Sequence, residues 1–484
     1  MDGSSRLAIV SNRFQRTTIL PGVRRKTSST QPTFMSKLSG FIAILLFAVV
    51  VRGGVLVARV GGLSDDPDAY RVIAETLART GVFGLPVGDE GAQPTAFRPP
   101  LYPWVLSFLA NADGRLGNLP VAILHAILGI LTVLMTWDIA GRLLNPTAAI
   151  IAGVIITLDP ILVWQSTLVM TETLAAFLGM AVWWWWVARF DNPRSRSTDG
   201  CEMQFVPNAA VTATGLGVLL SLAFLCRPTF LVWAVLIVPV IVLVGPRCRV
   251  RRSVIVVLTA SVFAVAMAAW TIRNVAVMGH PIWATSHGGY TLLLANNDSF
   301  YDYLRDQPTT WPWNTPAWDA EPFFETYAER PVVADEVTDD AAAYQSARTT
   351  IDDQPGMFVY SCWVRLIRLW QPFPHATEGR STASIVAVGS FYVLVYALMM
   401  IAAIRLASVL SAEHLKRMMI AWPAIAMLIT LSGVHAVYWS NPRMRAPANP
   451  ILAIAASAAF LCRRHFSSFN SDPPQPDDCS HSRI

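Results

Sequence analysis

The chain is poor in charge: only 14% of its 484 residues are Asp, Glu, Lys or Arg, against 54% hydrophobic, and the mean hydropathy is +0.44. A soluble protein of this length cannot cover so much apolar side chain, which excludes a soluble enzyme, a disordered chain and a nucleic-acid-binding module. Cysteine is scarce as well. Cys201, Cys226, Cys248, Cys362, Cys462 and Cys479 are scattered, with no spacing that reads as a zinc site or a disulfide framework. Internal repeats are lacking, and so is any low-complexity run in the two longest hydrophilic segments. The net charge of +5 names no ligand, because basic residues of polytopic proteins gather in cytoplasmic loops for topological reasons.

What the chain does have is apolar length. About ten stretches approach the roughly 20 residues that a bilayer-spanning helix takes: residues 38–60, 119–140, 146–163, 167–188, 208–225, 229–245, 254–271, 384–404, 418–438 and 447–462. Threaded alternately, they put both termini inside. Arg142, the Arg189, Arg194 and Arg196 group, the Arg247, Arg249, Arg251 and Arg252 cluster, Lys416, Arg417, Arg463 and Arg464 then all fall on the cytoplasmic side, as the positive-inside rule requires. The sequence thus divides into a basic, Ser- and Thr-rich cytoplasmic tail over residues 1–37, a membrane domain over 38–464 opened by a retained signal anchor, and a second cytoplasmic tail over 465–484. Trp183, Trp184, Trp185 and Trp186, just before Arg189, are expected to form an aromatic belt at the cytoplasmic headgroups.

Most acidic residues fall in two outside segments, 61–118 and 273–383, both too long to be mere connections. In the first, residues 70–79 have the spacing of an interfacial amphipathic helix, ended by Gly81 and Gly84, and residues 101–110 form an apolar run too short to span. In the second come a cluster of Trp311, Pro312, Trp313, Pro316 and Trp318, an acidic helical region over 335–353 and an amphipathic run over 358–370. These segments are expected to build a cavity floor or lid.

Four groups of residues there could carry chemistry. Asp65, Asp66 and Asp68 follow the first span directly; crowded carboxylates suit general-base work, and a solvated helix-capping turn is the plainer reading. Arg98 stands beside Pro99, Pro100 and Pro103, which hold an extended, rigid rim. Arg273 ends a span at its outer mouth, where it can meet a phosphate or snorkel to the interface, and the following Gly288 and Gly289 permit close backbone approach to a ligand. Arg443 and Arg445 sit in a short outside loop against the positive-inside rule, as a phosphate clamp or a headgroup contact. Glu172 and His435, also near the outer face, read as structural. The acids could hold a divalent metal, and His280 and His287 stand seven apart, yet no His and carboxylate spacing demands a metal.

Taken in order, these motifs resemble those of the GT-C polytopic glycosyltransferases of family 39, the protein-mannosyltransferase and aminoarabinose-transferase type. The resemblance rests on Asp66 four residues before Tyr70, on Pro99-Pro100-Leu101, on the Ser166-Thr167 to Thr171-Glu172 stretch, on Cys226-Arg227-Pro228-Thr229, on Trp270 to Asn274 with its Gly279-His280-Pro281-Ile282 continuation, and on Arg443-x-Arg445-x-Pro447. The chain departs from the pattern at Pro67, where many relatives have Glu, and at Met444, where an aromatic is usual. The resemblance implies an all-α, GT-C-type bundle of roughly ten transmembrane helices in a bacterial inner membrane, with two long exocytoplasmic loops carrying interfacial helices. It implies transfer of a sugar from a polyprenyl-phosphate donor to a protein, lipid or glycan acceptor by inverting displacement, with no certain cofactor. Asp66, with Asp65 beside it, would act on the acceptor. Arg273, Arg443, Arg445, Arg98 and Tyr70 would bind substrate and donor phosphate. The competing readings are a secondary transporter, which the absence of repeats disfavours, a lipid-carrier polymerase or ligase, which the acids after the first span disfavour, and a noncatalytic assembly scaffold.

Overall fold

A computed structural model describes residues 34–88, 91–191, 206–245, 248–306, 318–328, 335–375, 380–407 and 419–461. Most of the N-terminal tail, Arg194, Arg196, Arg247, Lys416, Arg417, Arg463, Arg464, the tail over 465–484 and the residues Trp311, Pro312, Trp313 and Pro316 lie outside the described residues, as do Cys201, Cys462 and Cys479.

The chain is helical nearly throughout. In order come α1 (Phe34–Ala58), α2 (Tyr70–Thr80), a hairpin of β1 (Gly84–Val87) and β2 (Gly91–Pro94), α3 (Leu101–Ser107), α4 (Asn118–Leu143), α5 (Pro146–Leu158), α6 (Pro160–Gln165), α7 (Glu172–Phe190), α8 (Val206–Cys226), α9 (Phe230–Ile237), α10 (Ile241–Val244), α11 (Arg249–Met278), α12 (Gly288–Ala295), α13 (Asp298–Asp306), α14 (Glu321–Ala328), α15 (Glu336–Asp353), α16 (Pro355–Trp370), α17 (Thr382–Ala407), α18 (Trp422–Val437) and α19 (Asn449–Ser457). The hairpin is antiparallel, pairing Gly84 with Pro94 and Val87 with Gly91; it is the small departure from an all-α reading. Each of the ten apolar stretches corresponds to a helix. Five of those helices, Leu38–Ala58, Asn118–Leu143, Asn208–Cys226, Arg249–Met278 and Thr382–Leu406, are long and apolar enough to cross a membrane, whereas Pro146–Leu158, Phe230–Val244 and Trp422–Val437 are shorter. This is a multi-pass membrane protein.

Contacts between helix ends fall into two groups. At one end Trp184 Nε1 donates to Asp138, Trp422 Nε1 to the Leu236 carbonyl, and Trp183 and Trp186 to the carbonyls of Ile420 and Met419. At the other end, segments following α1, α8 and α11 meet those preceding α7 and α19. Helix α7 lies in the middle, with 14 of its residues buried, including Trp183 and Trp186. Trp183 and Trp186 are therefore buried in protein and form no lipid-facing belt, while Trp184 and Trp185 are half-buried. Consecutive helical residues point about 100° apart, so the four address different surroundings. Trp185 donates to the Thr212 carbonyl on α8 and is covered by the Arg189 guanidinium 4.3 Å from its ring.

Several polar residues inside the bundle bond to neighbouring helices. Arg52, 2% exposed in α1, donates to the Ile156 carbonyl at 2.7 Å. Pro160 lacks an N–H and breaks the run after α5; Asp159 caps α6 at the Leu162 N–H and accepts from Tyr392 Oη and Asn449 Nδ2.

Helices α8 and α11 approach each other over small residues. A Cβ on Gly217 would lie 2.8 Å from Val262 Cβ and 3.1 Å from the Thr259 carbonyl, and Thr259 Oγ1 donates to the Ala213 carbonyl at 3.2 Å. Close packing of this kind replaces the hydrophobic effect as the force between helices in lipid. Gly217→Val should cost about 1–3 kcal/mol by overpacking, measured as a lowered unfolding midpoint in detergent, while Val265→Ala on the exposed face of α11 should leave that midpoint unchanged.

Candidate active site

At the end of the bundle that carries both long loops, a cavity of about 1170 Å³ opens between them and the helix ends. Its charged floor is assembled from five chain segments. Asp68, after the first span, takes the Arg98 guanidinium on Oδ1 at 2.9 Å, and Arg98 Nε also donates to the Asp68 carbonyl at 2.7 Å. Glu172, the first residue of α7, has no exposed surface and receives Arg227 Nη2 at 3.0 Å from the α8–α9 turn. Arg443 lies between the two acids, with Nε 3.4 Å from Glu172 and Nη2 3.9 Å from Asp68. Three cations thus meet two anions here, and Glu336, Asp339 and Asp340 line the same cavity.

The backbone around Asp68 is constrained. Ala69 adopts φ 60°, ψ 18°, a left-handed conformation that costs a residue with a Cβ about 1–2 kcal/mol. It turns the chain sharply between Asp68 and the buried Tyr70. Tyr70 packs edge-on against Tyr102 at 5.4 Å, and Tyr102, presented by α3 after Pro99 and Pro100, bonds His125 at 2.7 Å. Burial pushes the Tyr70 hydroxyl up to about 12, with Arg98 opposing the shift, so this residue is a neutral wall.

The candidate residues separate accordingly. Asp68, Arg98, Tyr70 and Arg443 line the cavity. Asp66 does not; its Oδ2 accepts from the Val72 N–H at 2.9 Å in the first turn of α2, and its Oδ1 is buried without a hydrogen-bond partner among the described residues. Asp65 is exposed. Arg273 does not line that cavity either. Its guanidinium donates to the carbonyls of Phe83 and Thr95 at 2.6 and 2.8 Å, bracing the hairpin. Gly288 and Gly289 serve helix packing, since a Cβ on either would fall 2.1 Å from Tyr344 Oη or the Asp340 carbonyl. Among the described residues no group of three or more His, Cys, Asp or Glu could hold a metal ion.

Glu172 and Arg227 are the residues that sequence reasoning undervalued. Their signal was an arginine one position beyond a span on the outer side, facing a lone acid at the outer mouth of another span.

Arg445 belongs to a second cavity, of about 1220 Å³, which shares Arg443 and Trp439 with the first. Val51 and Val55 of α1 and Val388 of α17 make an apolar wall, and Arg59, Arg368 and Arg380 stand with Arg443 and Arg445 on the polar side. Arg445 is fully buried; Nη1 donates to the carbonyls of Leu369 and Gln371 at 3.0 and 2.7 Å, and the guanidinium stacks 4.2 Å from the Tyr392 ring. Its Nη2 and Nε, with Ser440 Oγ and Arg368 Nε, find no hydrogen-bond partner among the described residues. Buried donors left without a partner cost stability.

Residues 97–198 match the family model of dolichyl-phosphate-mannose-protein mannosyltransferases. The stretch runs from the rim at Arg98 through Glu172, and the family named is one to which the sequence motifs pointed. No curated protein matches the sequence. Among solved structures the chain is similar to the oligosaccharyltransferase AglB from Archaeoglobus fulgidus in complex with an inhibitory peptide and a dolichol-phosphate, at 14% identity and TM-score 0.47, over 87% of this chain and 50% of that one. It is also similar to ArnT from Cupriavidus metallidurans bound to undecaprenyl phosphate, at 15% identity and TM-score 0.38, over 88% of this chain and 78% of that one. The chain spans about half the length of the AglB chain.

Aromatic rings stand among the charges of the first cavity, with the Arg98 guanidinium 4.4 Å from the Phe97 ring. His287 packs 4.5 Å from Phe97 and stacks 4.7 Å from Tyr290. Burial, and then the charge of Arg98, lower its pKa from 6.5 to about 3. The unfolded chain therefore binds a proton that the folded protein refuses between those values, and stability falls as pH drops from about 6.5 toward 3. His287→Phe should flatten the loss of unfolding midpoint between pH 7.5 and pH 4.5; an unaltered pH dependence would mean that His287 is protonated in the folded state.

Proposed function

We propose that the chain is a membrane glycosyltransferase that moves a sugar from a polyprenyl-phosphate donor to an acceptor at the exocytoplasmic face by inverting displacement. The observation that carries this reading is the meeting of two cavities at Arg443, one holding a carboxylate among aromatic rings, the other holding open guanidinium donors against an apolar wall. The family match over residues 97–198 supports a lipid-phosphate sugar donor. Placement of the donor's polyprenyl chain along α1 and α17 would leave its phosphate among Arg443, Arg445 and Ser440. The sugar would then lie toward the first cavity, where the acceptor enters.

In the transfer the acceptor hydroxyl oxygen attacks the anomeric carbon on the face opposite the phosphate. The carbon–oxygen bond to phosphate breaks, its electron pair goes to the departing phosphate oxygen, and the hydroxyl proton goes to a carboxylate. Arginines fixed before the reaction stabilise the charge that develops on the leaving group. Asp68 is the better-placed base, since it lines the cavity, and Asp66 holds the start of α2. A bacterial inner membrane with both termini cytoplasmic fits the distribution of charge: Arg142, Arg189, Arg249, Arg251 and Arg252 mark the end away from the cavities.

Transfer of radiolabelled sugar from a polyprenyl-phosphate donor by the purified protein tests the assignment. Asp68→Asn should lower the rate by about 10²–10⁴-fold, the usual worth of a general base. Asp66→Asn keeps a capping oxygen and should retain most activity. The reverse order would return the base to Asp66, and no transfer with any polyprenyl-phosphate donor would overturn the function.

A further inference from the structure

Arg443 is the one charged side chain that lines both cavities, and each of its ion pairs is long. Its Nη2 stands 3.9 Å from Asp68 and its Nε 3.4 Å from Glu172, while its Nη1 rests 3.1 Å from the soft Met170 sulfur. Both acids hold a second and shorter partner: Arg98 lies 2.9 Å from Asp68, and Arg227 lies 3.0 Å from Glu172. Withdrawal of Arg443 would therefore leave neither carboxylate alone. The side chain of Arg443 is 33% exposed, unlike the buried Arg445, and it has room to turn. On its far side wait the open donors of Arg445 and Ser440, which an anion would satisfy.

We infer that Arg443 is an exchangeable counter-ion that makes acceptor activation depend on donor occupancy. With the second cavity empty it sits against Asp68 and masks the carboxylate oxygen that Arg98 does not hold. A polyprenyl phosphate entering that cavity draws the guanidinium to itself, because a phosphate offers bidentate hydrogen bonds where Asp68 offers only a distant charge. Asp68 is then free on one oxygen for the acceptor hydroxyl. Arg443 acts on the proton transfer through Asp68, so in that step it is a positioning residue. The same exchange protects the donor, since the base is unmasked only when a sugar is in place to be transferred. This inference rests on the assignment of the second cavity to the donor phosphate.

Linkage makes the exchange measurable without turnover. If the phosphate must take Arg443 from Asp68, removing the Asp68 charge should tighten phosphate binding through Arg443. Binding of undecaprenyl phosphate to the full-length protein in detergent would be measured for wild type, Asp68→Asn, Arg443→Gln, Arg443→Lys and the Asp68→Asn, Arg443→Gln double variant. Asp68→Asn should tighten binding roughly tenfold, a size typical of side chains that share a partner. In the Arg443→Gln background the same substitution should change affinity less than about twofold. An Asp68→Asn, Arg443→Lys double variant, which keeps the charge at 443, should show part of the tightening relative to Arg443→Lys alone. Equal tightening in both backgrounds would reduce the effect to through-space repulsion and overturn the exchange, as would no tightening at all. Failure of the wild type to bind undecaprenyl phosphate would instead overturn the donor assignment, and the exchange with it.

Discussion

Glu172 has no exposed surface, and a charge held there must be paired within the protein. It stands at the first turn of a largely buried helix, and its partners come from outside that helix. Arg227 arrives from the turn after α8, and Arg443 from the short 3-10 turn Pro442–Ala448 before α19. Meeting this one requirement brings together three chain segments, the first two 55 positions apart and the third near the C-terminal end of the bundle, and Arg443 extends the network to Asp68 and the first loop. The outer end of the bundle is organised around that carboxylate, and the two cavities lie on either side of the arginine that bridges its network.

The two cavities differ in charge. Around Asp68 and Glu172 three arginines meet two acids, and Glu336, Asp339 and Asp340 add further carboxylates to the same cavity. The second cavity is lined by arginines and, among the described residues, by no acid; Arg445 there is held by backbone carbonyls and the Tyr392 ring, with the Asp159 carboxylate near enough to act on its charge. Ion pairs that are complete lock a fold; the long pairs of Arg443 leave this one adjustable where a substrate enters.

Much of the fold was legible because hydrophobic length reports a helix whatever its neighbours. The short outer helices could be read for a similar reason: residues 70–79 and 358–370 carry their amphipathic spacing locally, and α2 and α16 form there. Arg443 and Arg445 could be singled out because they break a rule about sides. Arg273 stands at an outer span end too, and its partners are carbonyls of a hairpin that no hydropathy pattern announces. Glu172 and Arg227 were the harder case. They stand 55 positions apart, each alone has an ordinary structural reading, and only packing shows that they meet. The tryptophan run failed as a belt because sequence gives the spacing of side chains on a helix but not which helix occupies the centre.

That central helix has a consequence for how the protein is made. Trp183 and Trp186 donate to carbonyls 237 and 233 positions further along the chain. As the chain is threaded into the bilayer from its N-terminus, those indoles are synthesised long before their acceptors exist, and they must wait in lipid or at its surface. The middle of the bundle can close only when its C-terminal third has been inserted. A polypeptide that stops after α17 would thus lack more than its last helices: its core would remain open, and membrane quality control would meet it as an unassembled protein rather than a shortened one.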